Sequence, residues 1–282
     1  MTSIEQRACV IGHPIAHSRS PLIHGYWLKE LKLTGFYGRE DVLPENFAAF
    51  IGSLRANGYV GCNVTLPHKE AAFRLVHRAS ERAKQLQVVN TLWYEGDTLC
   101  GDNTDIEGFI ANLDDRAPGW SQKLEKAVIL GAGGASASII AGLKERGARD
   151  IRLVNRTLPR AESLASRFGP TVHASDWAGL PKALEGADLL VNTTSLGMKG
   201  QPELEIDLAA LPLSALVTDI VYVPLETGLL RQARERGHPV ADGLGMLLHQ
   251  AVPGFEHWFG KRPCVTPALR ALIEADITGV AP

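Results

Sequence analysis

No stretch of this chain approaches the roughly 20 uncharged residues that a helix needs to cross a bilayer, so no membrane span is expected. Cysteine is sparse. The four thiols, Cys9, Cys62, Cys100 and Cys264, are scattered without the paired spacing of a metal site. They read as reduced and mostly buried thiols of a cytoplasmic protein, and no metal is expected. An excess of either charge is also missing: 29 Lys and Arg against 31 Asp and Glu leave a formal charge of -2. Nucleic-acid binding needs a basic field, which this balance does not supply. The first residues (Thr2, Ser3, Glu5, Gln6, Arg7) hold no apolar signal-peptide core. Internal repeats and low-complexity linkers are absent. What is there is ordinary: 45% hydrophobic and 21% charged residues in 282 positions suit one large globular domain or two average ones.

The first hundred residues alternate strand-like and helix-like runs. Arg7 to Ile11 predicts a strand. Ser20 predicts a helix cap, with Pro21 at the first helical position and a stripe through Leu22, Ile23, Tyr26, Trp27 and Leu31. A strand near Gly35 to Val42 is followed by a helix opened by Pro44, with Phe47, Phe50, Ile51 and Leu54 on one face. Tyr59 to Leu66 predicts a third strand, with helix from His68 onward. The Glu95-Gly96-Asp97 turn predicts a hairpin between Val88 and Cys100. A helix is expected near 104–113. A second α/β unit opens with a buried strand at Lys126 to Leu130 and a helix that Gly147 stops. Strands are expected at Ile151 to Val154, Ala187 to Val191, Val217 to Tyr222 and His238 to Ala241, with a helix at Pro159 to Phe168. This alternation argues for a parallel, doubly wound sheet. The end of the chain reads as helical over Leu244 to Phe259, bent at Pro253, and over Thr266 to Ile277.

Between the strand at Leu130 and its helix lies Gly131-Ala132-Gly133-Gly134-Ala135. Such a turn lets backbone N–H groups approach a pyrophosphate at a helix N-terminus. The third fingerprint position holds Ser136 rather than glycine, but strand, turn, helix and second strand follow in the required order. The end of that second strand then selects the cofactor. An NAD site places an acid there for the ribose 2′-OH. This chain has Asn155-Arg156-Thr157 instead, with Arg160 one turn later, and two cations with a hydroxyl suit a 2′-phosphate. Cations at a helix N-terminus oppose the dipole, so a solvated helix start accounts poorly for both arginines. The expected cofactor is NADP.

A proton-transfer site is read from Asn63-Val64-Thr65-Leu66-Pro67-His68-Lys69 and Asn103-Thr104-Asp105. A lysine acting as general acid–base near neutral pH must have its ordinary pKa of about 10.4 lowered by burial or by charge. Lys69 sits at a strand-to-helix junction, a common place for functional side chains. Asn63, Thr65, Asn90, Thr91, Asn103 and Asp105 all fall where strands end. They form a set of neutral hydrogen-bonding groups and one acid, suited to a polyhydroxylated ligand. Ser18 and Ser20 precede a helix N-terminus, where a hydroxyl caps the helix, holds an anionic ligand, or does both.

These motifs together resemble the shikimate dehydrogenase family, over most of the chain from Gly12 to about Gly260. The likeness rests on His17-Ser18-Arg19-Ser20-Pro21, Asn63 through Lys69, Val89 through Leu92, Gly101 through Asp105, Gly131 through Ala135 and Asn155 through Thr157. Asn192 through Met198, Asp219 through Thr227 and Asp242 through Leu247 complete it. The resemblance implies an α/β protein with an N-terminal substrate domain at 1–105, completed by C-terminal helices at 243–282. An NADP-binding Rossmann domain with a doubly wound parallel sheet is inserted at 106–242. It implies reversible, NADPH-dependent reduction of 3-dehydroshikimate to shikimate, a step toward aromatic amino acids, in a monomer or homodimer. By position, Lys69 is the general acid–base and Asp105 its partner. Ser18 and Ser20 take the substrate carboxylate, and Thr65, Asn90, Tyr222 and Gln250 complete the pocket. Gly131, Ala132, Gly133, Gly134 and Ala135 take the pyrophosphate, and Asn155, Arg156, Thr157 and Arg160 the 2′-phosphate. Ile220 and Gly243 lie by the nicotinamide, and Glu81 touches the cofactor. Three positions depart from the family pattern: Gln87-Val88 stands for Gly-Ala, Ile106 for glycine, and Pro253 interrupts the helix carrying Gln250. The competing readings are an NAD-using quinate/shikimate dehydrogenase and a non-catalytic metabolite sensor.

Overall fold

The computed structural model describes residues 5–280, which divide into two compact units: residues 5–104 with 250–280, and Asp105–His249. In the first unit, β1 (Gln6–Gly12) lies between β2 (Gly35–Asp41) and β3 (Tyr59–Val64), parallel to both. Ala8, Cys9, Val10 and Ile11 are all buried, as a central strand covered on both faces requires. Beyond β3 the sheet turns antiparallel through the hairpin of β5 (Thr91–Glu95) and β6 (Thr98–Asp102), and the short β4 (Arg78–Ala79) ends it. The expected turn is there, with Gly96 at φ +59°.

The helices of this unit are α1 (Ser20–Glu30), α2 (Phe47–Gly52), α3 (Lys69–Leu75) and α4 (Glu81–Leu86). On α1 the inward stripe is Ser20, Ile23, His24, Trp27 and Leu28, while Leu22, Tyr26 and Leu31 are only partly covered. Ser20 does not cap α1. It is the first helical residue, Arg19 is the cap position, and the Ser20 N–H donates to Ser18 Oγ at 3.3 Å. The upstream serine thus supplies the hydroxyl that an orphan N–H at a helix start requires.

The second unit contains α5 (Asp105–Arg116), α6 (Ser136–Glu145), α7 (Leu158–Phe168), α8 (Leu180–Leu184), α9 (Gly228–Glu235) and α10 (Leu244–His249). Its strands are β7 (Lys126–Leu130), β8 (Asp150–Val154), β9 (Val172–Ser175), β10 (Leu189–Asn192), β11 (Leu216–Asp219) and β12 (Val240–Ala241). They form one sheet in the order β12-β11-β10-β7-β8-β9, parallel throughout. This is the Rossmann order. Its direction reverses between β7 and β10, and ligands bind there at the carboxyl ends of the strands. The strand expected to reach Tyr222 ends at Asp219, and Tyr222 lies in the irregular segment that follows.

The C-terminal helix does not bend at Pro253. It breaks at Gln250, into α10 and α11 (Ala251–Phe259). Proline has no N–H to give to the carbonyl four residues back, here that of His249, and its ring crowds that carbonyl. Pro253 therefore sits in the first turn of α11, where its missing donor costs nothing. α10 packs on α5 within the second unit, while α11 and α12 (Pro267–Thr278) belong to the first. The compact unit accordingly extends to His249, beyond the boundary expected at Gly243. α11 reaches the sheet of its own unit through Trp258, whose indole N–H donates to Leu92 O at 2.8 Å. A Cβ at residue 61 would lie 2.1 Å from that nitrogen, so β3 carries glycine at the crossing.

Candidate active site

A cavity of ≈ 750 Å³ opens at the carboxyl ends of β7, β8 and β10. Gly131, Ala132 and Gly133 form one wall, and Asn155, Arg156 and Arg160 another. Thr193, Thr194, Ser195 and Leu196, just after β10, also line it, together with Trp177, Glu203 and Glu205. The glycines serve different needs. Gly131 has φ +101°, and a Cβ there would lie 2.8 Å from Thr194 Cγ2, so packing demands glycine. A Cβ at Gly133 or Gly134 would meet no protein atom within 4 Å. Glycine at those positions leaves room for something outside the polypeptide, as a backbone cradle for phosphate requires.

Ser136, where the fingerprint has its third glycine, is fully buried as the first residue of α6. Its Oγ donates to Gly131 O at 2.9 Å, accepts from the Gly133 N–H at 3.0 Å, and lies 2.8 Å from Thr193 Oγ1. The hydroxyl ties the turn to the end of β10. Asn155 Oδ1 accepts from the Ala132 N–H at 3.2 Å, and its Nδ2 donates to Thr157 O at 2.8 Å. Asn155 thus fixes the turn and the arginine segment together, while Arg156 and Arg160 stay exposed.

On the strand next to β10, Asp219 ends β11 with 1% exposure. Burial pushes its carboxyl up to about 6, opposed by hydrogen bonds from Val221, Thr227 and Asn192. Ile220 and Tyr222 follow in half-buried positions, and Gly243 is buried. A Cβ at Gly243 would lie 2.6 Å from Ile220 O, so this glycine is required by close backbone packing.

In the first unit Asn63, Asn90, Thr91 and Thr104 gather around the end of β3. Tyr37 OH donates to Asn63 Oδ1 at 2.6 Å, and Asn63 Nδ2 donates to Thr91 Oγ1 at 3.1 Å and to Asn90 O at 3.2 Å. Asn90 Oδ1 accepts from the Thr104 N–H at 2.8 Å and from Thr91 Oγ1 at 3.1 Å. The Thr104 hydroxyl donates to Gln250 O at 2.8 Å. These bonds set the Asn90 amide in one orientation and hold Gln250 beside the same strand ends. Lys69 is the first residue of α3, and its carbonyl accepts from the Val89 N–H at 3.0 Å, one residue before Asn90. Its neighbour His68 is structural: it is buried, stacks on Phe47 with centroids 4.4 Å apart, and bonds Val42 O through Nε2 at 2.7 Å. Thr65 and Ser18 are half-buried, and Ser18 Oγ lies 3.3 Å from Ser20 Oγ. Asp105 is buried as the first residue of α5, directly after Thr104.

Glu81 belongs to the first unit. It is exposed on α4 and pairs with Lys84 at 2.7 Å. Gly134, Ala135 and Thr157 flank the cavity in sequence without lining it.

Comparison with known proteins agrees with this architecture. Residues 10–92 match the family pattern described as the shikimate dehydrogenase substrate binding domain. Residues 115–199 match shikimate / quinate 5-dehydrogenase, and 243–273 the shikimate 5'-dehydrogenase C-terminal domain. A shikimate dehydrogenase (NADP(+)) of Rhodopseudomonas palustris is 58% identical over 277 residues, covering 98% of this chain and 99% of that one. The chain belongs to the shikimate dehydrogenase family. Among solved structures, shikimate 5-dehydrogenase from Thermus thermophilus in complex with NADP(H) and shikimate superposes with TM-score 0.84 at 32% identity, over 98% of this chain and 100% of that one. Quinate dehydrogenase from Corynebacterium glutamicum in complex with NAD gives TM-score 0.88 at 30% identity, over 95% and 98% of the two chains.

Two departures from the family pattern have visible accommodations. Gln87 takes the left-handed conformation that closes α4, at φ +57°, a role that glycine fills without strain. Ile106 is fully buried, and a Cβ added to Gly142 of α6 would lie 3.5 Å from its Cγ2, so the larger side chain meets a glycine. Sequence reading gives no role to the cavity residues after β10. The end of a strand beside the switch point is the available signal. Trp177, Glu203 and Glu205 come from connecting segments with no such signal.

Proposed function

We propose that the chain catalyses the reversible, NADPH-dependent reduction of 3-dehydroshikimate to shikimate. The observation that carries this is the cavity at the Rossmann switch point, which joins an open glycine turn to Arg156 and Arg160 with no acid at the end of β8. Relatives 58% identical and named shikimate dehydrogenase (NADP(+)) support it. When bound, NADPH supplies the hydride. The protein's own groups do the rest. Gly131 to Ala135 seat the pyrophosphate at the start of α6, and Asn155, Arg156, Thr157 and Arg160 hold the 2′-phosphate. Ile220 and Gly243 flank the nicotinamide. Glu81 adds a further cofactor contact.

On the substrate side, Ser18 and Ser20 bind the carboxylate, and Thr65, Asn90, Tyr222 and Gln250 the hydroxyls. Lys69 Nζ gives a proton to the ketone oxygen as the carbonyl is reduced and takes it back in the reverse direction. Asp105 holds the adjacent hydroxyl and partners Lys69. The unit of residues 1–104 with 250–282 serves as substrate domain, and that of residues 105–249 as NADP domain. The enzyme works in the cytoplasm.

Incubation with shikimate and NADP⁺ tests this directly, with NADPH formation followed by the absorbance of the reduced nicotinamide at about 340 nm. Turnover should be clearly better with NADP⁺ than with NAD⁺, and better with shikimate than with quinate. Equal efficiency with both nucleotides would remove the NADP assignment. No turnover of shikimate would remove the function.

A further inference from the structure

The buried carboxylate of Asp219 has no task in the proposed chemistry. Asp219 uses its two oxygens to address two different segments. Oδ1 accepts from Asn192 Nδ2 at 3.0 Å and from the Val221 N–H at 2.9 Å, and Oδ2 accepts from the Thr227 hydroxyl at 2.8 Å. Asn192 in turn shapes the rim of the cofactor cavity. Its Oδ1 accepts from the Thr194 N–H at 3.0 Å and the Thr194 hydroxyl at 2.7 Å, while its Nδ2 also donates to Leu196 O at 3.2 Å. Val221 and Thr227 bracket the segment that carries Tyr222, and the backbone of Gly243 closes on Ile220 from the other side.

We propose that Asp219 is a positioning residue that clamps the cavity rim at 193–196 to the Tyr222 segment at 220–227, setting both for their ligands at once. This rests on the proposed function, which gives those segments to cofactor and substrate. The carboxylate is itself buried and acts only through its partners. Three donors converge on it, so an acceptor on both oxygens is needed. An amide there would turn an N–H against one of those donors and leave a buried polar group unpaired.

Burial and three hydrogen bonds, with no cation among them, set the proton affinity of this carboxylate. β10, β12 and the start of α9 (Gly228 to Leu230) contain no ionisable side chain. Glu226, next to Thr227, pairs with Arg234, and Asp242 accepts from the Leu244 N–H at 3.0 Å. Keeping an uncompensated acid in a buried site costs stability, and the raised pKa of about 6 is the mark of that cost.

The test compares Asp219→Asn, Thr227→Val and Thr227→Ser with the full-length wild type. Calorimetric Kd values for NADPH and for shikimate are measured alongside kcat and KM. Asp219→Asn should raise both Kd values together by about 5-fold or more, the order expected for a contact within one network, with a smaller effect on kcat. Thr227→Val should follow in the same direction, and Thr227→Ser, which keeps the hydroxyl, should stay at wild type. A change confined to one ligand, or to neither, overturns the clamp. So do Thr227→Val and Thr227→Ser that behave alike, and this pair decides the matter if Asp219→Asn fails to fold. A wild type that binds both ligands without turning them over would refute the proposed function, while the Kd values would still judge the clamp.

Discussion

Replacing Lys69 with Ala removes the amine assigned to proton transfer and should lower turnover by roughly 10² or more, the usual scale for a general acid–base. Kd for NADPH should barely change, because the amine is assigned to the ketone oxygen. A loss of only a few-fold in steady-state assays would move the proton to another group. Lys69 is legible from its neighbours: it follows a strand, a proline and His68, and it opens a helix. His68 in the same motif is not legible as structural, since only the fold brings Phe47 and Val42 against its ring. The hydroxyl at the start of α1 is that of Ser18 and not the expected Ser20 for a similar reason. Both are good capping residues, and the helix start at Ser20 rather than Pro21 decides which hydroxyl meets the orphan N–H.

The glycine turn divides into a part that holds the fold and a part that serves the ligand. Gly131→Ala places a side chain at φ +101° against Thr193 and Thr194, and is expected to cost about 1–3 kcal/mol. Gly133→Ala meets open space outside the left-handed region and should leave stability unchanged or raise it by up to about 1 kcal/mol. Its expected effect is a higher KM for NADP⁺, because the added methyl stands where the proposed function seats the phosphates. Urea denaturation and steady-state kinetics on the two variants separate the effects; a Gly133→Ala enzyme with wild-type KM would show that the open side faces only solvent. Strand, turn and helix here are readable from apolar runs and glycine spacing. β9 and α9 give no comparable signal, the first being four residues long and the second lying between irregular segments. Pro253 signals a disturbed helix but not its place, since proline acts on the carbonyl four residues before it and the break falls at Gln250.

In the first unit His24 makes the folded chain sensitive to acid. Its ring stacks on Tyr37 with centroids 3.9 Å apart and lies among Trp27, Phe255 and Trp258. Burial pushes its pKa down to about 3. An unfolded histidine takes a proton below about 6.5, while the buried one stays neutral until about pH 3, so this group's contribution is lost as pH falls through that window. The loss should reach about 2 kcal/mol by pH 5 at 1.36 kcal/mol per pH unit. The stability difference between wild type and His24→Phe, from urea denaturation, should therefore shift toward the variant between pH 7 and 5. A difference that stays constant would place the acid-sensitive group elsewhere.

The sequence alone determined the α/β class, the Rossmann position and the motif residues, among them the arginines proposed to hold a 2′-phosphate. Each of these is written locally, in hydrophobic periodicity, glycine spacing or the residue types at a strand end. Tertiary structure alone decided that α10 joins the second unit, that Asn192, Asp219 and Thr227 share one buried network, and that His24 sits in an aromatic cage. Those depend on which distant segments pack together. A hydrogen bond between residues 192 and 219, or a ring stacked on one 13 positions away, leaves no period in the chain to read.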